Sequence, residues 1–357
     1  MKIAFIFPTL ISCGPVRQTY YLLSGLCELG FEVDLFVFNR SAHSEELLEK
    51  FTALGIRVHL FQVNVVDIFR SRRLMRSIKP DIVHSTLMLA DLIAFFIATD
   101  VPRIITHRTD PNDHLSTKGM IFGNIFFYIT KFLSSRAHAS VCVSRSIQKR
   151  LARYSVRSTD VIENCVPITT LNYPVRNIQG LPKIINILVI GSLCGRKNPI
   201  RSLEYAIGLS DFLDNSFFIN VYFLGDGEYK ETILSHPLSS NMKVYCPGHV
   251  DIRPYLEKAT LHISSSFAEG MPNSVLETMS LGIPNVLSNI PEHVEFSEFE
   301  NKLLMYFRYD VPFSKNDYLR LVRLFEVVSP SEVIHFKQKY SYKNVAAGYD
   351  AIYSNLT

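Results

Sequence analysis

Apolar positions along this 357-residue chain fall into two alternating kinds of stretch. Short, mainly apolar runs rich in Val, Ile, Leu and Phe predict strands at 3–7, 33–38, 58–63, 81–84, 103–107, 140–143 and 161–162. Between them, apolar residues recur every three or four positions, which predicts helices at 19–29, 44–53, 70–78 and 147–154. Strands that are apolar on both faces and joined by helices belong to parallel sheets covered on both sides. The expected fold class is therefore α/β, with a doubly wound, Rossmann-like domain over residues 1–168. From Pro167 to Pro182 the pattern fades among three prolines and a glycine, and 169–183 reads as a linker. The alternation then restarts, with strands expected at 185–190, 219–224, 243–246, 261–264, 284–287 and 303–307. A second Rossmann-like domain over 184–338 follows from it, and the aromatic helical pattern of 339–357 suggests a final helix packing back on the first domain.

Composition leaves this picture standing, because 47% hydrophobic and 20% charged residues suit a globular chain long enough for two cores. The apolar start, Met1 to Ile11, is broken at Pro8 and lacks a small-residue cleavage site, so it reads as a buried strand rather than a signal peptide. No run approaches the roughly 18 apolar residues of a membrane span. Six cysteines stand singly at 13, 27, 142, 165, 194 and 246, with no C-x-x-C pair and no histidine at ligand spacing. That argues against a zinc site and a disulfide framework, and it fits a reducing, cytoplasmic location.

Charge adds one feature. Residues 1–175 carry 20 Lys and Arg against 14 Asp and Glu, whereas the remainder carries 17 against 19. The excess gathers in Arg70-Arg72-Arg73-Arg76-Lys79 and Arg145-Lys149-Arg150-Arg153-Arg157. These are either solvated helix faces or contacts for anionic lipid headgroups, where each basic residue contributes about 1 kcal/mol. The aromatic stretch Met120 to Leu133 between them is either core or a segment lying in a membrane interface. No nucleic-acid-binding motif accompanies the charge, so nucleic acid is not an expected partner.

Ligands of open parallel sheets sit beyond the carboxyl ends of the strands, and chemistry is sought in the loops there. One such loop runs from Ser265 through Glu269, Asn273 and Glu277 to Pro284. Asn273 is the expected N-cap of a helix reaching about Leu281, which points the amides of Ser274, Val275 and Leu276 outward as a site for phosphate or sugar oxygens. Ser274 and Glu277 share a helical face, and Glu269 lies eight residues before Glu277. Two carboxylates bracketing a helix start can accept from a sugar and from a ribose diol; a capped surface helix with two ordinary glutamates has the same pattern. A second loop, Gly191 to Pro199, offers Asn198 as N-cap and Pro199 at the first helical position. Arg196 and Lys197 then stand at the positive end of a helix, which is unfavourable unless an anion binds and so suggests a diphosphate; a solvated basic turn is the alternative. The exit of the first strand, Ser12-Cys13-Gly14-Pro15, has no G-x-G-x-x-G fingerprint, which disfavours a dinucleotide oxidoreductase, but Gly14 permits close backbone approach. His84 and His107 each end a strand; His84 reads as structural, and His107 as either structural or ligand-facing. Asp110, Asn112, Asp113 and His114 form either an acceptor-side loop or turn residues.

Taken together, these segments resemble glycosyltransferase family 4, retaining enzymes of the GT-B fold with two Rossmann-like domains facing across a cleft. The resemblance rests on Ile162-Glu163-Asn164-Cys165-Val166, Arg196-Lys197-Asn198, Leu224-Gly225-Asp226-Gly227, and above all the E-x7-E element from Glu269 to Glu277 with Gly282 and Pro284. It implies that Glu269 binds the hydroxyls of the donor sugar, Glu277 the ribose, and Arg196 and Lys197 the diphosphate. Gly14 is implied to lie against the phosphates and His107 near the reacting carbon. Ser192, Gly270, Met271, Pro272, Asn273, Ser274 and Val275 are implied to line the donor, a UDP- or GDP-sugar used without cofactor or metal. The implied reaction is front-side displacement, the departing phosphate helping to deprotonate the acceptor. Cys165 replaces the usual glycine, Ser192 a frequent arginine, and Thr278 the usual alanine. The expected role is transfer to a lipid-linked saccharide in surface-polysaccharide assembly (O-antigen, capsule or exopolysaccharide) at the inner membrane face. A non-catalytic nucleotide-sugar-binding partner of the same fold is the alternative, and the presence of His107 counts against it.

Overall fold

A computed structural model describes residues 1–11, 13–39, 44–110, 120–156, 160–167, 180–214 and 216–357. The chain divides into two compact units: Met1–Cys165 together with Tyr340–Thr357, and Val166–Lys339. The first holds β1 (Lys2–Phe7), β2 (Glu32–Val37), β3 (Arg57–Leu60), β4 (Ile82–Thr86), β5 (Arg103–His107), β6 (Ala139–Cys142) and β7 (Asp160–Val161). The second holds β8 (Ile184–Ile190), β9 (Phe218–Leu224), β10 (Met242–Tyr245), β11 (Leu261–Ser264), β12 (Asn285–Ser288) and β13 (Leu304–Phe307). Neighbouring strands pair in parallel throughout, in the orders β3-β2-β1-β4-β5-β6-β7 and β10-β9-β8-β11-β12-β13. Each unit thus has Rossmann-like strand order, and each order reverses once, between β1 and β4 and between β8 and β11. The crevice at such a reversal is where an open α/β sheet binds its ligand.

The alternation along β1 shows why these runs make buried strands. Phe5 and Phe7 pack with Leu22, Leu23 and Leu26 of the helix Gly14–Glu28 and with Tyr349 and Tyr353 of the helix Tyr342–Ser354. Ala4 and Ile6 point the other way, into a core with Met75 of the helix Val65–Ile78 and Ile93, Ala94 and Ile97 of the helix Met88–Ile97. Both faces are covered, so the strand is apolar without interruption.

Helix starts differ from the periodicity. The first helix begins at Gly14 rather than Thr19, with Pro15 in its opening turn. The helix expected at 70–78 begins at Val65 because Asn64 caps it, Oδ1 accepting from the Asp67 amide at 2.8 Å. Met88–Ile97 gave no periodic signal, since it is apolar on nearly every side. Residues 168–179, most of the expected linker, lie outside the described residues, as does Arg157 of the second basic cluster.

The chain returns to the first unit through its last helix. His84 on β4 receives this helix, with Nδ1 2.7 Å from the Tyr353 hydroxyl and Nε2 2.8 Å from Thr106 Oγ1. Burial pushes the His84 pKa down to about 3, which fixes a neutral, structural imidazole. Tyr342 donates to Glu28 at 2.6 Å, and Gly25 lets the two helices approach: a methyl there would sit 2.6 Å from Ala346 Cβ and 2.9 Å from the Tyr342 carbonyl oxygen. Helix propensity alone favours Gly25→Ala by about 1 kcal/mol. Overpacking opposes it by roughly 1–3 kcal/mol. We expect net destabilisation in urea melts; an unchanged or raised midpoint would contradict this docking.

Candidate functional site

The crevice between β8 and β11 begins with glycine geometry. Gly191 leaves β8 with φ 137°, and the Leu-Gly-Asp-Gly turn after β9 forms its bed. The Gly191 amide donates to Leu224 O at 3.1 Å and the Leu193 amide to Asp226 O at 2.9 Å. A methyl on Gly225 would fall 2.0 Å from Gly191 O, and one on Gly227 2.4 Å from Leu193 O. No other residue fits at these two positions without moving the loop that carries Ser192, Arg196 and Lys197.

Gly195–Lys197 then forms a single 3-10 turn, and Asn198 redirects the chain with φ 49° into the helix Pro199–Asp211. Asn198 does occupy the cap position before Pro199, but its side chain makes no capping bond. Its left-handed backbone, which asparagine tolerates, performs the turn instead. Arg196 and Lys197 therefore lie just before the helix start, in the 3-10 turn that leads into it.

Their charge is met in a different way. Lys197 Nζ lies 2.6 Å from Glu269 Oε1, Arg196 Nη1 lies 3.2 Å from Oε2 and 2.7 Å from Ala268 O, and Ser266 Oγ donates to Oε1 at 2.6 Å. Glu269 is 6% exposed. Burial alone pushes its pKa up, yet Lys197, then Arg196, and the Ser266 hydroxyl together hold it down at about 2. So the expectation that this cation pair requires an external anion is corrected: Glu269 supplies one negative charge against two positive ones. Nearby His262 and His293 are each pushed down to about 4 by burial and add no charge at neutral pH. Further bonds lock the two loops together, from the Phe267 amide to Arg196 O at 2.9 Å and from Ser265 Oγ to Asn198 O at 2.5 Å. Ser266 was not singled out from the sequence; its only mark there is a place in the serine run before Glu269.

The helix after Glu269 spans Asn273–Met279, and Pro272 rather than Asn273 holds the cap position. The Val275 and Leu276 amides already donate to Pro272 O at 3.2 and 3.3 Å. This one-residue shift removes two of the three outward amides expected there. Met271, Ser274 and Glu277 are buried, and Gly270 and Asn273 are partly exposed. Ser192 is exposed beside Gly225.

Gly14 and His107 belong to the first unit. Gly14 opens its helix behind Cys13, whose side chain makes no capping bond. His107 Nε2 lies 2.8 Å from Ser140 Oγ and 3.1 Å from Ser134 Oγ, and burial pushes its pKa down to about 4. Asp110 approaches Arg150 at 3.6 Å, which withdraws that arginine from the free basic cluster. Ser12, Asn112, Asp113 and His114 lie outside the described residues. Among the described residues, no three His, Cys, Asp or Glu side chains gather as a metal site, and all six cysteines are free thiols.

Residues 13–170 match the family model Glycosyltransferase Family 4, and residues 185–309 match Glycosyl transferases group 1. The chain belongs to glycosyltransferase family 4. A Campylobacter jejuni relative, named as a GalNAc-alpha-(1->4)-GalNAc-alpha-(1->3)-diNAcBac-PP-undecaprenol alpha-1,4-N-acetyl-D-galactosaminyltransferase, is 23% identical over 81% of this chain and 79% of its own. The structure of Anabaena HepE with UDP and glucose superposes with a TM-score of 0.72 at 12% identity, over 99% of this chain and 100% of that one. The lipopolysaccharide outer core galactosyltransferase WaaB superposes with a TM-score of 0.70 at 17% identity, over the same shares. These likenesses establish the GT-B fold.

In this glycosyltransferase the Glu269 ion pairs leave a stability signature. A carboxylate with a depressed pKa contributes fully above its ordinary value of 4.5, and the contribution is lost as pH falls toward about 2. Glu269→Gln should remove that acid-dependent slope. It should also cost roughly 2 kcal/mol at pH 7, less than the full penalty of a broken buried pair because Arg196 is half-exposed. Urea titrations between pH 2 and 7 measure both effects, and parallel curves for parent and variant would contradict the pairing.

Proposed function

We propose that this glycosyltransferase moves a sugar from a UDP- or GDP-sugar, with retention, to a lipid-linked saccharide in the assembly of a bacterial surface polysaccharide. The observation that carries the donor reading is Glu269, held ionised at the β8/β11 reversal between Arg196 and Lys197. A carboxylate offers about four acceptor positions. Among the described residues, Lys197, Ser266 and Arg196 use three of these, which leaves one on Oε2 for a sugar hydroxyl. The surplus positive charge of the cluster suits a departing diphosphate, so no metal is needed for charge stabilisation. Glu277 takes the ribose, Gly14 lies against the phosphates, and Ser192 with Gly270 to Val275 lines the donor.

His107, with its pKa near 4, is a poor base at neutral pH. It acts as a neutral hydrogen-bond partner of the transferred sugar, which supports substrate-assisted deprotonation. The bond from C1 to the phosphate oxygen breaks as the acceptor oxygen bonds C1 on the same face. The acceptor proton passes to the departing phosphate.

The name of the C. jejuni relative favours a polyprenyl-linked acceptor, and the first unit has a surface suited to a membrane. On the helix Met120–Arg136, Ile121, Phe122, Ile125, Tyr128 and Phe132 are 47–76% exposed along one side. The adjoining helices on this side of the sheet add exposed Phe96, Val65, Val66 and Phe69, with Arg70, Arg73 and Arg76 beside them. Among the described residues no helix is long and apolar enough to cross a membrane, so the contact proposed is interfacial.

UDP or GDP should raise the melting temperature while NAD does not, and the enzyme should slowly hydrolyse one sugar nucleotide of a UDP- and GDP-sugar panel. Lys197→Ala should weaken nucleotide binding at least tenfold. Stabilisation by NAD alone, or nucleotide affinity indifferent to Lys197, would contradict the donor reading. Phe122→Glu with Tyr128→Glu should cut partitioning into phosphatidylglycerol-containing vesicles about tenfold. Unchanged co-sedimentation would remove the membrane contact.

A further inference from the structure

The strand order of the first unit also reverses, between β1 and β4, and the groups gathered there include one that the donor reading does not use. Arg108 directly follows β5. Its Nε donates to Thr86 Oγ1, at the end of β4, at 3.2 Å, and its Nη1 donates to Asn164 Oδ1 at 3.0 Å. Gln18, in the second turn of the helix Gly14–Glu28, grips the neighbouring Cys165 backbone from both sides. Its Nε2 donates to Cys165 O and its Oε1 accepts from the Cys165 amide, each at 2.9 Å. The end of β4, the loop after β5, the first helix and residues 164–165 are thereby pinned around one guanidinium.

The charge there is unbalanced. Both hydrogen-bond partners of Arg108 are neutral, and among the described residues no carboxylate forms an ion pair with it. Among the described residues, the groups that could place negative charge near it are Tyr349, Cys165 and Cys13, a phenol and two thiols. Burial pushes the Cys165 thiol up to about 12 and raises the Tyr349 hydroxyl as well, so neither offers negative charge at neutral pH. Burial also lowers the pKa of Arg108 itself, but a guanidinium does not deprotonate in a protein. The cation stays, and a poorly solvated cation without a counter-charge is costly. Arg196 and Lys197 have Glu269; among the described residues Arg108 has no equivalent. Its side chain keeps partial solvent contact. Of about five guanidinium donors, two are used by described residues, so the remainder can face an oxyanion in a planar fork.

We propose that Arg108, framed by Thr86 and Asn164, is a second anion site that takes a phosphoryl group of a substrate. The chemistry fits either the diphosphate of the donor or the phosphate of a lipid-linked acceptor, and in naming a substrate the inference rests on the proposed glycosyl transfer. Calorimetry on Arg196→Ala/Lys197→Ala protein isolates the site, because that variant lacks the cations of the second unit. Inorganic pyrophosphate should still bind the double variant. Adding Arg108→Gln should raise its Kd at least tenfold, and adding Arg108→Lys should raise it less. Retained melting of the Lys variant keeps the result interpretable if the Gln variant is unstable.

In otherwise unaltered enzyme, a tenfold loss of UDP affinity on Arg108→Gln assigns the site to the donor. The same loss for detergent-dispersed farnesyl diphosphate assigns it to the acceptor. Pyrophosphate binding that is absent from the double variant, or indifferent to both Arg108 substitutions, overturns the site. Failure of the glycosyl-transfer reading shows separately, as a parent enzyme that binds neither UDP nor GDP.

Discussion

A carboxylate buried at the β8/β11 reversal is stable only because two cations reach it, and the second unit is arranged around that requirement. Glu269 brings Lys197 across the bare backbone of Gly191, where a methyl would come within 3.3 Å of the lysine Cε. Lys197 can be there because a 3-10 turn and the left-handed Asn198 end the loop at that point. The loop rests on Gly225 and Gly227, which cannot carry side chains without displacing it. Electrostatics, a tight turn and two glycines thus form one constraint rather than three separate motifs.

The same arrangement explains how a compact ion-pair cluster can serve binding. Two positive charges and one negative charge leave a surplus of one, on side chains that remain partly exposed. On the proposed reading, an arriving diphosphate would meet positioned donors with little to reorganise, which is the condition under which electrostatic stabilisation is most effective. The first unit uses a different solution at its own strand reversal. There one guanidinium is fixed by neutral partners, and histidines at the strand ends are kept uncharged by burial.

Much of this was legible in the sequence because it is periodic or local. Short, mainly apolar runs located all thirteen described strands to within a few residues, most cleanly in central strands such as β1, which is covered on both faces. The helix Met88–Ile97 was missed for the converse reason, having almost no polar face to set a period. The E-x7-E element pointed to Glu269 and Glu277 as a pair, but their settings differ: Glu269 joins two cations, while Glu277 lies buried within a short helix. Charge pairing is long-range information. Glu269 and Lys197 are 72 positions apart, so the expectation of an unpaired cation turn could be corrected only once the two loops were seen together. The one-residue shift of the cap to Pro272 depends on backbone angles that residue preference alone does not settle. Arg108 escaped notice because it sits among polar loop residues, and what distinguishes it is partial burial with no carboxylate partner among the described residues.

Arg196 and Lys197 are proposed to grip a nucleoside diphosphate while Glu269 remains an ionised carboxylate beside them. A crystal structure with UDP or GDP bound tests it most directly. Phosphate oxygens within hydrogen-bond distance of both cations, with the Ser266–Glu269 contact kept, is the predicted result. A nucleotide seated elsewhere, with Lys197 and Arg196 still turned only toward Glu269, would contradict the account.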